Sequence, residues 1–315
     1  MSTRYPFGPT AIPPIDAARI RTERRVGIAY SGGGDRVVIE LGIVQAFIEL
    51  GIVPDYIAGV SAGAYAGVLH AADPRTAQYL PLAIKTAQQG VSALHPSVFR
   101  VLFRLVPAAI RYMFGGPHAV HLQSLNDNKR IRKLLEKHLP ANTFEQLHVP
   151  MSISATDVLT GQEAWFEAPD QPLVPAILAS SAIPGLFPPV RVGNQLYVDG
   201  GTSDNLPLFH LAQKGCGVIY ACDVGYAGES NKPPRNFIDT VLLAESIGQY
   251  AAVLSQEALL AKTFPEVRVI PVRPEVALTT LPSDFRVADI PGYVAQAAAE
   301  AKRILQAAGI PAVQS

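Results

Sequence analysis

The residues of this chain best suited to covalent chemistry lie in Gly59-Val-Ser61-Ala-Gly63, a G-x-S-x-G run. In that pattern a serine occupies a tight strand-to-helix turn with its hydroxyl projecting above a sheet, as a nucleophile for acyl transfer requires. Gly59 and Gly63 suit the turn because neighbouring backbones crowd there and leave little room for a Cβ. Five-residue matches are common, so the flanks decide. Tyr56-Ile-Ala reads as a strand before the serine, and Ala64 to Ala72 as a small-residue helix after it. Such a helix directs its positive N-terminal end toward the nucleophile.

One helix upstream, Ser31-Gly32-Gly33-Gly34-Asp35-Arg36 presents successive backbone amides that can hold an anion. Two chemistries use such a loop. A phosphate cradle would call for the lysine of GxxxxGK[ST], which is missing, or for the acidic residue of a dinucleotide site, which has no clear position. Beside a nucleophile elbow, the stretch Gly32, Gly33, Gly34, Asp35 and Arg36 is better used as an oxyanion hole, where loss of one donor slows acyl transfer by about 10²–10³.

The serine also needs a base. Tyr197-Val-Asp199-Gly200-Gly201 ends a β-prone run in a carboxylate, and its two glycines would let the loop approach the elbow closely. The plainer reading is an ordinary Asp-Gly turn. A serine–carboxylate–histidine order would instead recruit His210, only eleven residues on, inside the helical stretch Leu206 to Lys214, while the other six histidines precede Asp199. A histidine on a helix face accounts for His210 more simply, which leaves a carboxylate acting alone as the better base.

The elements that must position these groups follow from periodicity. Val26 to Tyr30, a glycine loop and a helical pattern from Val37 to Leu50 make one strand-loop-helix unit, and the Ser61 elbow makes a second. Two such units in succession predict a parallel sheet with helices on its faces. Further strands are expected at Met151–Ala155, Glu163–Glu167, Gln195–Val198, Gly217–Cys222 and Val267–Val272. Helices are expected near 75–88, 124–138, 172–180, 206–213, 237–262 and 292–308. The organisation predicted is an extended lead-in over 1–24 and one α/β domain over 25–315, with a helical insert at about 75–140.

A chain of 315 residues with 49% hydrophobic and 17% charged residues can bury one large core. Its 26 basic and 26 acidic residues balance to a net charge of +0, which removes the electrostatic case for a nucleic-acid partner. Cys216 and Cys222 fall in or beside an apolar run and read as small buried hydrophobes; neither a disulfide framework nor a metal site is predicted. The N-terminal stretch has four prolines and several arginines but no signal-peptide core, and no segment reaches about 18 uncharged apolar residues. The expected location is cytoplasmic or peripheral to a membrane.

Taken together, Ser31-Gly-Gly-Gly-Asp-Arg36, Gly59-Val-Ser-Ala-Gly63, Ala179-Ser-Ser-Ala-Ile-Pro-Gly-Leu-Phe-Pro-Pro189 and Asp199-Gly-Gly201 resemble the four signature blocks of the patatin-like phospholipase family, in order. The resemblance covers roughly residues 25 to 225. It implies a three-layer α/β/α sandwich with a mainly parallel central sheet, a Ser61–Asp199 dyad without histidine, an oxyanion hole in the glycine loop and no cofactor. The implied reaction is hydrolysis of fatty-acyl esters of phospholipids or related lipids. One position departs from the pattern: Val37 stands where the family's loop usually ends in glycine. If that glycine needs a positive φ, the hole must rearrange; if it is helical, valine is tolerated and Gly42 supplies the later small residue.

Val98 to Phe114 is apolar except for Arg100, Arg104 and Arg111, which at ~100° per residue share one side of a helix. An interfacial element at a membrane surface and a core helix with one solvated edge both fit. A Ser-His esterase or acyltransferase and a lipid-binding pseudoenzyme with a weakened oxyanion hole stand as alternatives to the hydrolase. The sequence leaves oligomeric state open.

Overall fold

Successive residues of the central strands are buried in two different apolar clusters, which assigns their side chains to two faces of one sheet. Ile28, Tyr30, Ile57, Tyr220 and Cys222 enter one apolar cluster, while Ala29, Ala58, Ile219 and Ala221 enter another. Both faces are covered, which is why these strands read as unbroken apolar runs. The computed structural model describes residues 25–94, 124, 126–226, 228, 233–276 and 286–308. The lead-in over 1–24 and the Val98–Phe114 stretch lie outside the described residues.

The strands are β1 (Arg25–Tyr30), β2 (Tyr56–Val60), β3 (Met151–Asp157), β4 (Glu163–Phe166), β5 (Val190–Val192), β6 (Gln195–Asp199), β7 (Cys216–Cys222) and β8 (Arg268–Val272). They form one sheet in the order β5-β6-β3-β2-β1-β7-β8, with β4 also paired to β3. The pairs linking β3, β2, β1, β7 and β8 are all parallel, whereas β3–β4, β3–β6 and β5–β6 are antiparallel. The fold is thus α/β with a mainly parallel central sheet.

Eight α-helices accompany the sheet among the described residues: α1 (Val37–Glu49), α2 (Ala62–Ala72), α3 (Leu80–Leu94), α4 (Lys129–His138), α5 (Leu173–Ser180), α6 (Leu208–Gln213), α7 (Phe237–Thr263) and α8 (Ile290–Ala307). Core residues of α1, α2, α3, α5 and α8 pack on one face of the sheet, and those of α6 and α7 on the other, giving three layers. None of these helices is long and apolar enough to cross a membrane. Gly42 does not serve the glycine loop. It sits where α1 meets α8, and a Cβ there would lie 2.5 Å from the Ala297 Cβ and from the Val294 carbonyl oxygen.

Three expectations shift. The helix expected from 75 starts at Leu80, because the Asp73 carboxylate accepts from the amides of Arg75 and Thr76 and from the Gln78 side chain, folding 73–78 into a turn. The one expected from 124 starts at Lys129, after a turn in which Asp127 accepts from the Lys129 amide. The three-residue strand β5, with Arg191 at its centre, is an addition to the expected set.

The pairing of β3 decides where β2 and β6 end. Ile153 and Ser154 pair with both β2 and β4, and Ala155 and Thr156 with both β4 and β6. A strand has two edges, so β4 occupies one and β2 and β6 share the other. Their last residues, Val60 and Asp199, pair with the adjacent residues Ser154 and Ala155, so β2 and β6 end against each other.

Candidate active site

Ser61 follows β2 directly and caps α2, with φ 52° and ψ −115°. Among the described residues it is the one non-glycine with a positive φ. Such a conformation persists in an L-residue only where the surroundings over-determine it. The flanking glycines supply the space: a Cβ on Gly59 would lie 2.6 Å from the Gly63 carbonyl oxygen, and one on Gly63 would lie 2.5 Å from that of Tyr30.

Where β6 ends against this elbow, the Ser61 hydroxyl donates to Asp199 Oδ2 at 2.7 Å. The other carboxylate oxygen accepts from the Gly201 amide at 2.8 Å. The Thr156 hydroxyl donates to the Asp199 carbonyl at 3.0 Å, and the Asp199 amide donates to the Ala182 carbonyl at 3.0 Å. Burial pushes the Asp199 carboxyl up from 3.8 to about 7 against the opposing hydrogen bonds from Ser61 and Gly201, with the charge of Glu245 adding to the rise. Such a group exchanges a proton readily near neutral pH. Gly200 passes so close to β3 that a Cβ would lie 2.6 Å from the Ser154 carbonyl oxygen.

The glycine loop lies on the other side of Ser61. Gly32 exchanges hydrogen bonds with Asn205: its amide donates to the Asn205 carbonyl and its carbonyl accepts from Asn205 Nδ2, both at 3.1 Å. Gly33 has φ −162° and ψ 2°, and Gly34, at φ +55°, opens a short 3₁₀ turn through Asp35 to Arg36. The Arg36 amide donates to the Gly33 carbonyl at 3.0 Å. Its guanidinium reaches the carbonyls of Val224, at 2.6 Å, and Gly225, tying the loop to the chain beyond β7. Val37 has helical angles, φ −46° and ψ −29°. The left-handed position is therefore Gly34, and valine at 37 meets no backbone conflict.

A pocket of about 700 Å³, partly open to solvent, adjoins the serine. Gly34, Val37, Ser61, Tyr65, Ile177 and Phe187 contribute to its wall, together with residues of α3 and α4. The lining is almost wholly apolar, suited to a hydrocarbon chain rather than to a sugar or nucleotide.

His210 is elsewhere. It stacks on Trp165 with ring centroids 3.6 Å apart and contacts the Ser152 hydroxyl through Nε2 at 3.0 Å. Burial lowers its pKa, although Glu167 beside it opposes that. Sequence reasoning gives no role to Ser180, whose hydroxyl accepts from the Ser61 amide at 2.7 Å, nor to Asn205 or Thr156. The Ala179–Pro189 block is the available signal for Ser180, but the block does not reveal which atom it meets. Among the described residues, no cluster of His, Cys, Asp or Glu has an arrangement able to hold a metal ion.

The chain is similar to several known proteins. The family model described as patatin-like phospholipase matches residues 28–212. Lysophospholipase NTE1 of Yarrowia lipolytica is 28% identical over 224 residues, which is 71% of this chain and 14% of that protein. The Saccharomyces cerevisiae protein of the same name is also 28% identical, over 71% of this chain and 12% of its own length. An uncharacterized NTE family protein of Mycobacterium bovis is 30% identical over 227 residues, 71% of this chain and 56% of that one. The chain thus spans a small fraction of the fungal relatives. Among solved structures, human GIVD cytosolic phospholipase A2 bound to a fluorophosphonate inhibitor has a TM-score of 0.49 at 12% identity, covering 93% of this chain and 61% of that chain. VipD from Legionella pneumophila has a TM-score of 0.43 at 16% identity, covering 91% and 67%.

Proposed function

Because the chain belongs to the patatin-like phospholipase family, we propose that it is a serine lipid acyl hydrolase that cleaves fatty-acyl esters of phospholipids or related lipids through Ser61 and Asp199. The observation that carries this reading is the 2.7 Å hydrogen bond between Ser61 Oγ and a buried carboxylate, at a strained elbow beside an apolar pocket.

The acyl chain lies in the pocket and its carbonyl carbon meets Ser61 Oγ. Asp199 takes the serine proton as the new C–O bond forms, and the amides of Gly33 and Gly34 hold the developing oxyanion. The Gly32 amide is directed to Asn205 and the Arg36 amide to Gly33, so within this loop those two residues brace rather than donate. Collapse of the tetrahedral species expels the alcohol, which receives its proton from Asp199. Water then attacks the acyl-enzyme, gives its proton to Asp199 and releases the fatty acid, and Ser61 regains its proton. Water is the only co-substrate required. The apolar lining of the pocket beside the serine, together with the lysophospholipase name of the fungal relatives, favours a lipid with one acyl chain.

A serine–histidine mechanism lacks support, since His210 bonds to Ser152 rather than to Ser61 or Asp199. The pseudoenzyme alternative depends on Val37, whose helical backbone removes its motive. The test is a panel of lysophospholipids, diacyl phospholipids, glycerides and short p-nitrophenyl esters, with fluorophosphonate labelling alongside. Hydrolysis and labelling that both vanish in Ser61→Ala are expected. A folded wild type that neither labels nor hydrolyses any of them would overturn the reading.

A further inference from the structure

The Ser61 amide lies between two regular elements, since β2 ends at Val60 and the helical residues of α2 begin at Ala62. A buried N–H in that position needs an acceptor. The acceptor is the hydroxyl of Ser180, 2.7 Å away, on a side chain with no solvent exposure at the last residue of α5. Two residues further on, the Ala182 carbonyl accepts from the Asp199 amide at 3.0 Å. One stretch of three residues thus holds the backbones of both members of the dyad. The stretch is itself stiff: the amides of Ser181 and Ala182 bond to the carbonyls of Ile177 and Ala179, and that of Phe187 to Ile183. Ser181 lines the pocket, whereas Ser180 holds the elbow.

We propose that Ser180 is a positioning residue for acyl transfer, fixing the Ser61 backbone so that its hydroxyl stays aligned between Asp199 and the ester. This rests on the hydrolase reading above. Ser180 touches no reacting atom; it acts through the amide of the nucleophile. With alanine in its place the amide loses its acceptor, and the left-handed conformation of Ser61 loses one of the contacts that determine it.

The experiment compares wild type, Ser180→Ala and Ser180→Cys in the full chain. Competent serines are counted by the end point of fluorophosphonate labelling, and turnover of p-nitrophenyl butyrate is expressed per labelled site. Ser180→Ala is expected to label to completion, but to turn over about 10- to 100-fold more slowly per site, the scale of loss that follows misplacement of a reacting group. KM should stay within about threefold, because the pocket is intact. Ser180→Cys keeps a weak acceptor and should fall between; it carries the same comparison if the alanine variant does not fold. Turnover per labelled site equal to wild type, even with fewer labelled sites, would mean a purely structural role and would overturn the proposal. An inert, unlabelled wild type would remove the hydrolase reading and this inference with it, whereas an active wild type beside an equally active Ser180→Ala removes this inference alone.

Discussion

Replacing Asp199 by asparagine should abolish ester hydrolysis and, above neutral pH, make the protein more stable. The carboxyl is buried and its pKa lies near 7 rather than 3.8, with loss of solvation as the main cause. Below the lower value it is protonated whether the chain is folded or not. Between the two values the unfolded chain gives up the proton freely while the folded site keeps it, so stability falls as pH rises. Above about 7 both states are ionised and the deficit stays constant. At 1.36 kcal/mol for each tenfold change in the ionisation constant, the full deficit is about 4 kcal/mol, of which about 3 kcal/mol develops between roughly pH 5 and pH 8.5. Asparagine cannot ionise, and it can still accept from the Gly201 amide while donating to the Ser61 oxygen, so both neighbours of the carboxylate keep a contact to residue 199. Urea denaturation of both proteins across that range supplies the assay. The stability difference between them should widen in favour of Asp199→Asn as pH rises, while wild-type kcat/KM climbs over the same interval as the base loses its proton. A difference that stays constant from acid to alkaline pH would refute the reasoning, because it would mean that Asp199 is solvated as an ordinary surface carboxylate.

Two further substitutions separate the site from its surroundings. Val37→Gly, which restores the usual family residue, should change kcat by less than about threefold and destabilise the fold by about 2–3 kcal/mol, through a glycine in the first turn of α1 and lost apolar burial; a tenfold gain in turnover, measured with a p-nitrophenyl ester, would show that valine does obstruct the oxyanion loop. His210→Ala should cost about 1–3 kcal/mol by thermal or urea unfolding, from the lost stacking on Trp165 and the lost contact to Ser152, while kcat/KM stays within about threefold. A hundredfold loss there, with Asp199→Asn still active, would transfer the role of base to the histidine.

The sequence could display what is local in the chain. A β-prone run, glycines at fixed offsets from a serine and a helical pattern are contiguous, so the elbow at Ser61 and the loop at Gly32–Arg36 were legible from spacing and turn chemistry. Asp199 was legible as a carboxylate at a strand end, but its meeting with Ser61, 138 residues away, rested on family likeness. Ser180 and Asn205 act through contacts spanning 119 and 173 positions, which no local pattern encodes. Gly42 looked like part of the loop's glycine set because it is near in sequence, yet what requires it is α8, which arrives from the far end of the described chain. The late start of α3 has a local cause that propensity misses, since one aspartate side chain competes for the amides that a first helical turn would leave open.

The end-to-end meeting of β2 and β6 along β3 makes the spacing of Ser61 and Asp199 a matter of register rather than of chain length. β3 acts as a gauge, on which the ends of β2 and β6 beside Ser61 and Asp199 are read at neighbouring marks, with each residue worth about 3.3 Å. Loops and helices between Ser61 and Asp199 that lie outside β3 and the Ser180–Ala182 stretch can therefore lengthen, shorten or be exchanged without altering the distance between the two side chains. One residue inserted into β3 between Ser154 and Ala155 is different, because it displaces one mark relative to the other and turns the side chains on one side of it to the opposite face. Relatives that differ widely in the other intervening segments can thus share one site geometry, and grafting a new pocket segment into this chain must leave untouched both the strand Met151–Asp157 and the Ser180–Ala182 stretch that holds the two backbones.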